Sequence, residues 1–181
     1  MGTMTTQRAS PRHHLEAAQN VIRSKGYTAT RVEDICEAAE LTKGSFFYHF
    51  KSKEDLALAA AEHWNATTGA LFAAAPYQAL EDPLDRLLAY IDFRKSLLRG
   101  DLPEFTCLVG TMVQEVYATH PQVRDACEQS ISGHAATLEP DIAAAMKKHN
   151  VRGNWTPRSL ALYTQAAGEF GHEGAAQGRA R

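Results

Sequence analysis

The stretch that most constrains the fold is residues 30–56, TRVEDICEAAELTKGSFFYHFKSKEDL, because it predicts three helix starts in close succession. Thr30 and Glu33 are three residues apart, which is the capping-box pattern at the start of a helix. Apolar residues then recur at the spacing of one helix face, and they are Val32, Ile35, Cys36 and Ala39. The stretch therefore begins with an amphipathic helix of about two turns.

A shorter helix follows after a turn at residues 40–41. Thr42 is placed to cap this helix, which is predicted over residues 43–50. The sequence SKED at residues 52–55 repeats the capping-box spacing and opens a longer helix that reaches about residue 74. The stretch thus predicts two short helices around a tight turn and the start of a third.

The shorter helix carries more aromatic side chains than packing alone requires. Phe46 and Phe50, four residues apart, are predicted to anchor one of its faces on the core. Gly44 is predicted to let the helix pass close to neighbouring backbone. Considered one at a time, these residues have ordinary explanations. Each aromatic residue is explained as part of the core, His49 as a structural histidine and Lys53 as a solvated surface charge. Their joint register favours a helix-turn-helix, in which one helix packs and the next reads the major groove of DNA.

A further helix is predicted ahead of this stretch, over residues 11–25. Ser10 precedes a proline at its start, and Gly26 ends it. Residues 1–10 are polar and are predicted to form a flexible arm. Residues 1–58 carry eight Lys and Arg against seven Asp and Glu, whereas the whole chain has a net charge of −2. The first 58 residues are thus slightly basic and the remainder is acidic. This distribution suits a protein that binds a specific nucleic-acid site better than one that binds polyanions in general.

The composition argues against several other classes of protein. No apolar run approaches the ~20 residues that span a bilayer, and no secretory leader is evident, so we predict a cytoplasmic protein without a membrane partner. Cys36, Cys107 and Cys127 form no CxxC pair, so we predict no metal site. No GxSxG, HExxH, phosphate-loop or GxGxxG pattern occurs, so we predict neither a cofactor nor catalytic residues.

The remainder of the chain has the pattern of helices separated by turns. The predicted helices cover residues 84–99, 104–118, 121–148 and 158–167, with Pro140 expected to kink or split the third. The segment 168–181 has several glycines and no apolar period, which predicts a disordered tail. We therefore expect an all-α chain with an arm at residues 1–10, a DNA-binding domain at 11–56, a ligand-binding and dimerisation domain at 57–167, and the tail.

The segment TKGSFFYHFKSKEDL, together with the run from Thr30 to Ile35, resembles the DNA-binding head of the TetR family of bacterial transcriptional regulators. The resemblance covers about residues 12–60 and implies a three-helix helix-turn-helix head followed by a helical bundle. It implies that the residues at the double-stranded DNA operator are Thr30, Arg31, Thr42, Lys43, Gly44, Ser45, Phe47, Tyr48, His49 and Lys53. The family most often has tyrosine where this chain has Phe47. Either Tyr48 supplies the phenol instead, or Phe47 contacts a thymine methyl group.

The resemblance also implies that the body binds a small-molecule inducer and forms a homodimer. The predicted pocket residues, each of which is equally well explained as part of a bundle core, are Trp64, Tyr90, Phe93, Phe105, Cys107, Met112, Glu115 and His134. Glu115, on an otherwise apolar helix, is expected to recognise a cation or donor of the inducer, or to face water. Cys107 is either a modifiable thiol near a helix start or a small buried residue.

The end of the chain departs from the family pattern. Bodies of this kind finish with two long helices that pair across a dimer, whereas here the final helix begins at Thr156 and loses its pattern after Ala167, and so looks short of the last helix. The expected function is a ligand-responsive repressor that binds a pseudo-palindromic operator as a dimer and is released by an inducer. The alternatives are a helical adaptor for a protein partner and an enzyme that uses Cys107 with His134.

Overall fold

The computed structural model describes residues 10–179, and over that range the chain is helical and contains no strand. The all-α fold predicted from the sequence is confirmed. The predicted arm lies outside the described residues except for Ser10. None of the described helices is both long and apolar enough to cross a membrane.

Three helices form the head, namely α1 (Pro11–Lys25), α2 (Val32–Ala38) and α3 (Lys43–His49). Ser10 Oγ accepts a hydrogen bond from the backbone N–H of Arg12 at 3.3 Å and caps α1 as predicted. Gly26 ends α1 with a φ of 87°, a left-handed value that favours glycine. Thr42 Oγ1 accepts from the backbone N–H of Ser45 at 3.1 Å and caps α3 as predicted.

The cap of α2 differs from the prediction, because the capping box is not at residues 30–33. Asp34 Oδ2 accepts from the backbone N–H of Arg31 at 2.7 Å, one residue later than the pattern indicates. The hydroxyl of Thr30 instead donates to a backbone carbonyl in the preceding turn at 2.6 Å. Lys25, at the end of α1, forms an ion pair with the same Asp34 carboxylate at 2.7 Å. The carboxylate that caps α2 is therefore also held by a cation on another helix.

The helix α4 (Lys53–Ala73) leaves the head and enters the body. Ser52 Oγ caps it by accepting from the backbone N–H of Asp55 at 3.1 Å, as predicted. A 3₁₀ turn at Pro76–Ala79 follows, and the body continues with α5 (Pro83–Ser96), α6 (Leu102–Phe105), α7 (Leu108–Val116), α8 (Pro121–Ala136), α9 (Glu139–Lys148) and α10 (Pro157–Arg179). Because α4 packs on α1, α7 and α8, it joins the head directly to the body.

One predicted body helix is divided at a point that the sequence did not indicate, and another is divided where it was predicted to be. The predicted helix at residues 104–118 is two helices, α6 and α7, separated by a bend at residues 106–107. Cys107 caps α7 through Sγ, which accepts from the backbone N–H of Gly110 at 3.4 Å. The segment at residues 121–148 is divided into α8 and α9 next to Pro140, as predicted.

The last helix is longer than predicted. It continues to Arg179, so the segment from Gly168 onward that was predicted to be disordered is helical as far as the described residues extend. Ala161 and Gln165 of α10 are buried against the body, and packing of this first half stabilises a helix that then propagates through the glycines.

One apolar core runs through the head and much of the body. It includes Ile22, Ile35 and Phe46 from the head and Met112 and Val123 from the body, all fully buried. A second cluster at the far end of the body contains Tyr77, Tyr90, Leu138, Ile142 and Ala161. The boundary predicted at residues 56–57 is thus crossed by continuous packing as well as by α4 itself.

Candidate nucleic-acid interface and ligand cavity

The helix α3 has one buried aromatic side and one exposed aromatic side. Phe46 is fully buried and Phe50 nearly so, whereas Phe47 is 57% exposed and Tyr48 is 63% exposed. The ring centroids of Phe46 and Phe50 lie 5.7 Å apart, and the ring of His14 from α1 lies 5.9 Å from each. The buried pair holds α3 on the head, so Phe47 and Tyr48 form its projecting surface.

Polar and cationic groups border this projecting surface. The predicted DNA-binding residues that lie around it, exposed or half-buried, are Arg31, Thr42, Lys43, Gly44, Ser45 and His49. Lys43 at the start of α3 forms an ion pair with Glu33 of α2. Arg31 at the start of α2 is also exposed and lies 3.4 Å from Asp34. Exposed ion pairs of this kind are weak, so both cations remain available to phosphates.

Two predicted DNA-binding residues serve the fold of the head instead. Thr30 is 1% exposed and has no side-chain surface for DNA to contact, which corrects the prediction made for it. Lys53 Nζ donates to the carbonyls of Tyr27 at 3.1 Å and Thr30 at 2.9 Å, and it lies 4.3 Å from the centroid of the Tyr27 ring. Burial lowers the pKa of Lys53. These two bonds leave one ammonium N–H for a phosphate.

Gly44 does not face backbone from another part of the described chain, so the close approach predicted for it is not made within the described residues. A Cβ added there would meet Thr42 Oγ1 at 3.6 Å, which is an ordinary van der Waals contact. The missing side chain instead leaves space on the outer surface at the start of α3. That is the surface on which a DNA backbone would approach.

Glu115 lies at the junction between body and head and not in a ligand pocket, which corrects its predicted role. Its carboxylate accepts from the backbone N–H groups of Tyr27 at 3.1 Å and Thr28 at 2.7 Å. A Cβ at Gly26 would collide with this carboxylate. The turn after α1 is therefore held by Glu115 from the body and by Lys53 from α4.

A cavity of about 300 Å³ lies where α1, α4, α8 and the bend before α7 meet. Four predicted pocket residues line it, namely Trp64, Phe105, Cys107 and His134. Three others lie elsewhere. Tyr90 lies behind His134, Phe93 packs its ring against Phe72, and Met112 is fully buried in the core. The cavity is thus partly the predicted pocket, with apolar walls and a few polar groups, as ligand sites have.

Arg23 of α1 also lines this cavity, although nothing in the sequence pattern indicated it. Its Nε donates to the carbonyl of Thr106 at 2.6 Å, and its guanidinium lies 4.9 Å from the centroid of the Trp64 ring. Burial lowers the pKa of Arg23. A residue of the head therefore forms part of the wall of the body's cavity.

A chain of polar contacts forms another wall. Arg94 donates to the hydroxyl of Tyr90 at 3.1 Å and to Gln165 of α10 at 2.7 Å. The Tyr90 oxygen lies 3.0 Å from Nε2 of His134, whose pKa is lowered to about 4 first by burial and then by Arg94. His134 is therefore neutral near pH 7, and we assign its proton to Nδ1, with Nε2 accepting from Tyr90. This chain joins α5, α8 and α10.

The three cysteines differ in their surroundings. Cys36 and Cys127 are buried in the core, where burial raises the pKa of Cys36 and raises that of Cys127 to about 12. Cys107 is half-buried and lines the cavity. Cys107 caps α7 and His134 bonds to Tyr90, so each has its own structural partner.

Comparisons with known proteins agree with this architecture in both halves. The model of bacterial regulatory proteins of the tetR family matches residues 15–60. The model of the tetracyclin repressor-like C-terminal domain matches residues 83–176, which is more than half of the chain. The first match spans α1 to α3 and the start of α4, and the second spans α5 to α10.

Individual relatives are regulators. An uncharacterised HTH-type transcriptional regulator of Lactococcus lactis is 28% identical over 72% of this chain, and the transcriptional regulator AcuR of Cereibacter sphaeroides is 30% identical over 62%. The chain spans only 66% and 51% of those two proteins. The HTH-type transcriptional repressor NemR of Escherichia coli is 24% identical, over 80% of this chain and 72% of its own. The crystal structure of reduced NemR superposes with a TM-score of 0.79 at 22% identity, covering 93% of this chain and 88% of that one. The chain belongs to the TetR family of bacterial regulatory proteins.

Proposed function

We propose that this protein is a ligand-responsive repressor, which binds a pseudo-palindromic operator as a homodimer and releases it when a small molecule occupies the cavity. The observation that carries the proposal is the two-sided α3, with Phe46 buried while Phe47 and Tyr48 project. Large aromatic groups exposed side by side on a capped helix have no role in the core. They suit contact with base edges and phosphates in a major groove.

The proposed docking places α3 in the major groove with the start of α2 near the DNA backbone. Lys43 exchanges its ion pair with Glu33 for a phosphate, since an exposed pair contributes little to stability. Phe47 supplies an apolar contact to a thymine methyl group, and the Tyr48 hydroxyl bonds a phosphate. Lys53 acts mainly by fixing the turn after α1, so its contribution to DNA binding is chiefly indirect.

The proposed dimer uses an apolar surface on α5 and α10. Its exposed members are Leu84, Leu88 and Ile91 of α5 and Leu162 and Tyr163 of α10. The three on α5 recur at the spacing of a single helix face, and Tyr163 is 71% exposed. Ile91 and Tyr163 line one groove between α5 and α10, and exposed apolar surface that clusters in this way marks an interaction site. Pairing two chains there would present two copies of α3 to successive half-sites, about one helical turn apart or slightly more.

The proposed response to a ligand begins in the cavity of about 300 Å³. Its walls include Arg23 from the head and Trp64 from α4, so an occupant contacts elements that carry α3. A ligand that binds better when these helices are shifted moves the population toward a head position that no longer matches the operator.

The test is a gel shift with the intergenic DNA upstream of the gene for this protein. The expected result is a specific complex that Tyr48→Ala and Lys43→Ala each weaken by about tenfold or more, because each removes a contact to DNA. Lys43→Ala is also expected to make binding less sensitive to salt. The matched controls are Tyr117→Ala, which removes a similarly exposed tyrosine from the body, and Lys147→Ala on α9.

Two results would contradict the proposal. One is the failure of folded, dimeric protein to distinguish this DNA from an unrelated fragment of equal length. The other is equal loss of binding in Tyr117→Ala and Tyr48→Ala, which would show that general surface changes, and not the α3 surface, govern DNA binding. If the protein is instead a helical adaptor or an enzyme, it should not distinguish the two DNA fragments.

A further inference from the structure

We propose that the ligand of the cavity is a small organic anion, a carboxylate on an apolar body, and that Arg23 of the head binds its charge. The inference rests on the proposed function insofar as the cavity is the ligand site. It adds the chemical class of the ligand and the residue that recognises it. It also makes that residue part of the DNA-binding head itself.

The charges around the cavity favour an anion. The cationic lining residues are Arg23 and Arg94, and the acidic one is Glu104. Glu104 Oε2 accepts from the backbone N–H of Asp101 at 2.6 Å, and the Glu104 charge acts on Arg23 only from beyond ion-pair distance. His134 is neutral near pH 7, because its pKa is lowered to about 4. Among the described lining residues, two carry a positive charge and one carries a negative charge, which favours an anionic ligand over a cationic one.

Arg23 is the cationic side chain that is proposed to bind the anion. One of its five N–H donors, on Nε, is used by the carbonyl of Thr106. Its flat guanidinium lies near the ring of Trp64, and among the described residues no carboxylate lies within ion-pair distance of it. A guanidinium that is partly buried without a carboxylate partner gains more from an incoming anion than a fully solvated one does.

The rest of the cavity defines the body of the ligand. Its apolar walls include Trp64, Phe72, Phe105, Val109 and Ile131. A volume of about 300 Å³ admits a ring or a short alkyl chain. Asn65 and Ser130, whose side chains lie 3.4 Å apart, offer one polar contact away from Arg23. A monocarboxylate with an aromatic or short aliphatic body fits these walls.

Recognition by Arg23 would link the cavity to the head without intermediate helices. Arg23 lies near the end of α1, and its bond to the carbonyl of Thr106 ties α1 to the bend before α7. A carboxylate that pairs with the terminal nitrogens changes the direction in which the guanidinium is pulled. Because α1 packs directly on α2, a shift of α1 would also displace α2 within the three-helix head.

The test uses titration calorimetry on the full chain with benzoate, benzamide and benzylamine, which share one ring and differ in charge. Benzoate is expected to bind at least about tenfold more tightly than benzamide, because a charge-assisted bond to a guanidinium contributes more than a neutral one. Benzylamine is expected to bind most weakly. The three probes therefore separate recognition of charge from recognition of the ring.

Variants assign the effect to one side chain. Arg23→Gln keeps an N–H donor for Thr106 and is expected to abolish the advantage of benzoate while leaving the affinity for benzamide within about twofold. Arg23→Lys retains the charge and is expected to restore part of the advantage. Arg152→Gln removes an exposed arginine outside the cavity and is the matched control.

The outcomes also separate this inference from the proposed repressor function. Equal binding of the three probes, absence of binding by all three, or a benzoate preference that survives Arg23→Gln would overturn the anion site. If specific DNA binding is retained in those cases, the repressor function stands. A benzoate preference that depends on Arg23, in a protein without specific DNA binding, would sustain the anion site and reject the repressor.

Discussion

Glu115 Oε2 accepts a hydrogen bond from the backbone N–H of Thr28 at 2.7 Å, and this bond ties α7 of the body to the turn that follows α1 of the head. Oε1 of the same carboxylate accepts from Tyr27, at 3.1 Å. The carbonyls of Tyr27 and Thr30, in turn, accept from Lys53 of α4. An anion on the body and a cation on α4 therefore hold the two sides of one turn.

Glu115→Ala removes both acceptors at this turn. We expect it to lower the free energy of unfolding by about 1–2 kcal/mol, because the bonds are charge-assisted but the carboxylate is partly in water. The measurement is urea unfolding followed by circular dichroism. Glu62→Ala, which removes an exposed acid from α4, is the control and should leave the midpoint unchanged. An unfolding midpoint equal to that of the wild type would show that the turn does not depend on Glu115.

His14→Leu tests a buried histidine under α3. The ring of His14 is fully buried, and neither ring nitrogen has a hydrogen-bond partner among the described residues. Its pKa is lowered from 6.5, first by burial and then by the charges of His49 and His13. The unfolded chain therefore binds the proton more readily, and His14 makes the head less stable as pH falls below 6.5. We expect the stability gained by His14→Leu to grow as the pH is lowered through that range.

The control for this experiment is His63→Leu, which removes a histidine of α4 that is not among the groups that lower the pKa of His14. The pKa of His134 is also lowered, to about 4, so the wild-type pH profile contains both groups. The difference between the His14 variant and the wild type isolates His14. A difference in unfolding free energy that is constant with pH would contradict its titration.

Gly44→Ala separates folding from DNA binding. Alanine favours a helix over glycine by up to about 1 kcal/mol, and a Cβ meets no close neighbour at this position. We expect thermal stability to be unchanged or raised while operator affinity falls, since the new methyl group occupies the surface proposed for DNA. Gly69→Ala in α4, where a Cβ meets nothing within 4 Å, should raise stability without weakening DNA binding. Equal DNA affinity in the two variants would exclude Gly44 from the interface.

Tyr163→Glu tests the proposed dimer surface. The side chain is highly exposed beside a groove between α5 and α10, and a charge there would be buried without a partner if two chains pair on that surface. Light scattering is expected to show a mass of two chains for the wild type and of one chain for the variant. Tyr117→Glu, at a similarly exposed tyrosine at the C-terminal end of α7, should remain dimeric.

The thiols are expected to react with iodoacetamide in a fixed order. Cys107 should be alkylated first because it is half-buried at the cavity, whereas Cys127 is buried with a pKa raised to about 12 and remains a thiol. Mass spectrometry of peptides from the folded protein measures the order, and Cys107→Ser is the control. Preferential labelling of Cys127 or Cys36 would contradict the burial that the structure assigns to them.

Local signals in the sequence predicted the head well because its helix starts are determined by neighbouring residues. Ser10, Thr42 and Ser52 cap the helices for which they were predicted, and Phe46 and Phe50 form the buried side of α3. Each of these features depends on spacings of two to four residues, which can be read directly from the chain.

Contacts between distant segments account for the errors. Asp34, which caps α2, also pairs with Lys25 of α1, and Glu115 lies at the head because α7 packs beside α1. Arg23 was missed for the same reason, since its cavity is formed by helices far apart in the chain. Periodicity identifies which face of a helix is apolar but not which other helix covers it.

The continuous core from α3 to α8 has a consequence for engineering. Phe46 and Ile35 of the head belong to the same buried cluster as Met112 and Val123 of the body. The head therefore cannot be separated from the body without breaking this core. A chimera that joins this head to the body of another regulator at the start of α4 would expose apolar surface on both parts. Exchange of operator specificity would have to transplant α4 and the facing residues of α7 and α8 together with the head, or else be confined to the exposed side chains of α3.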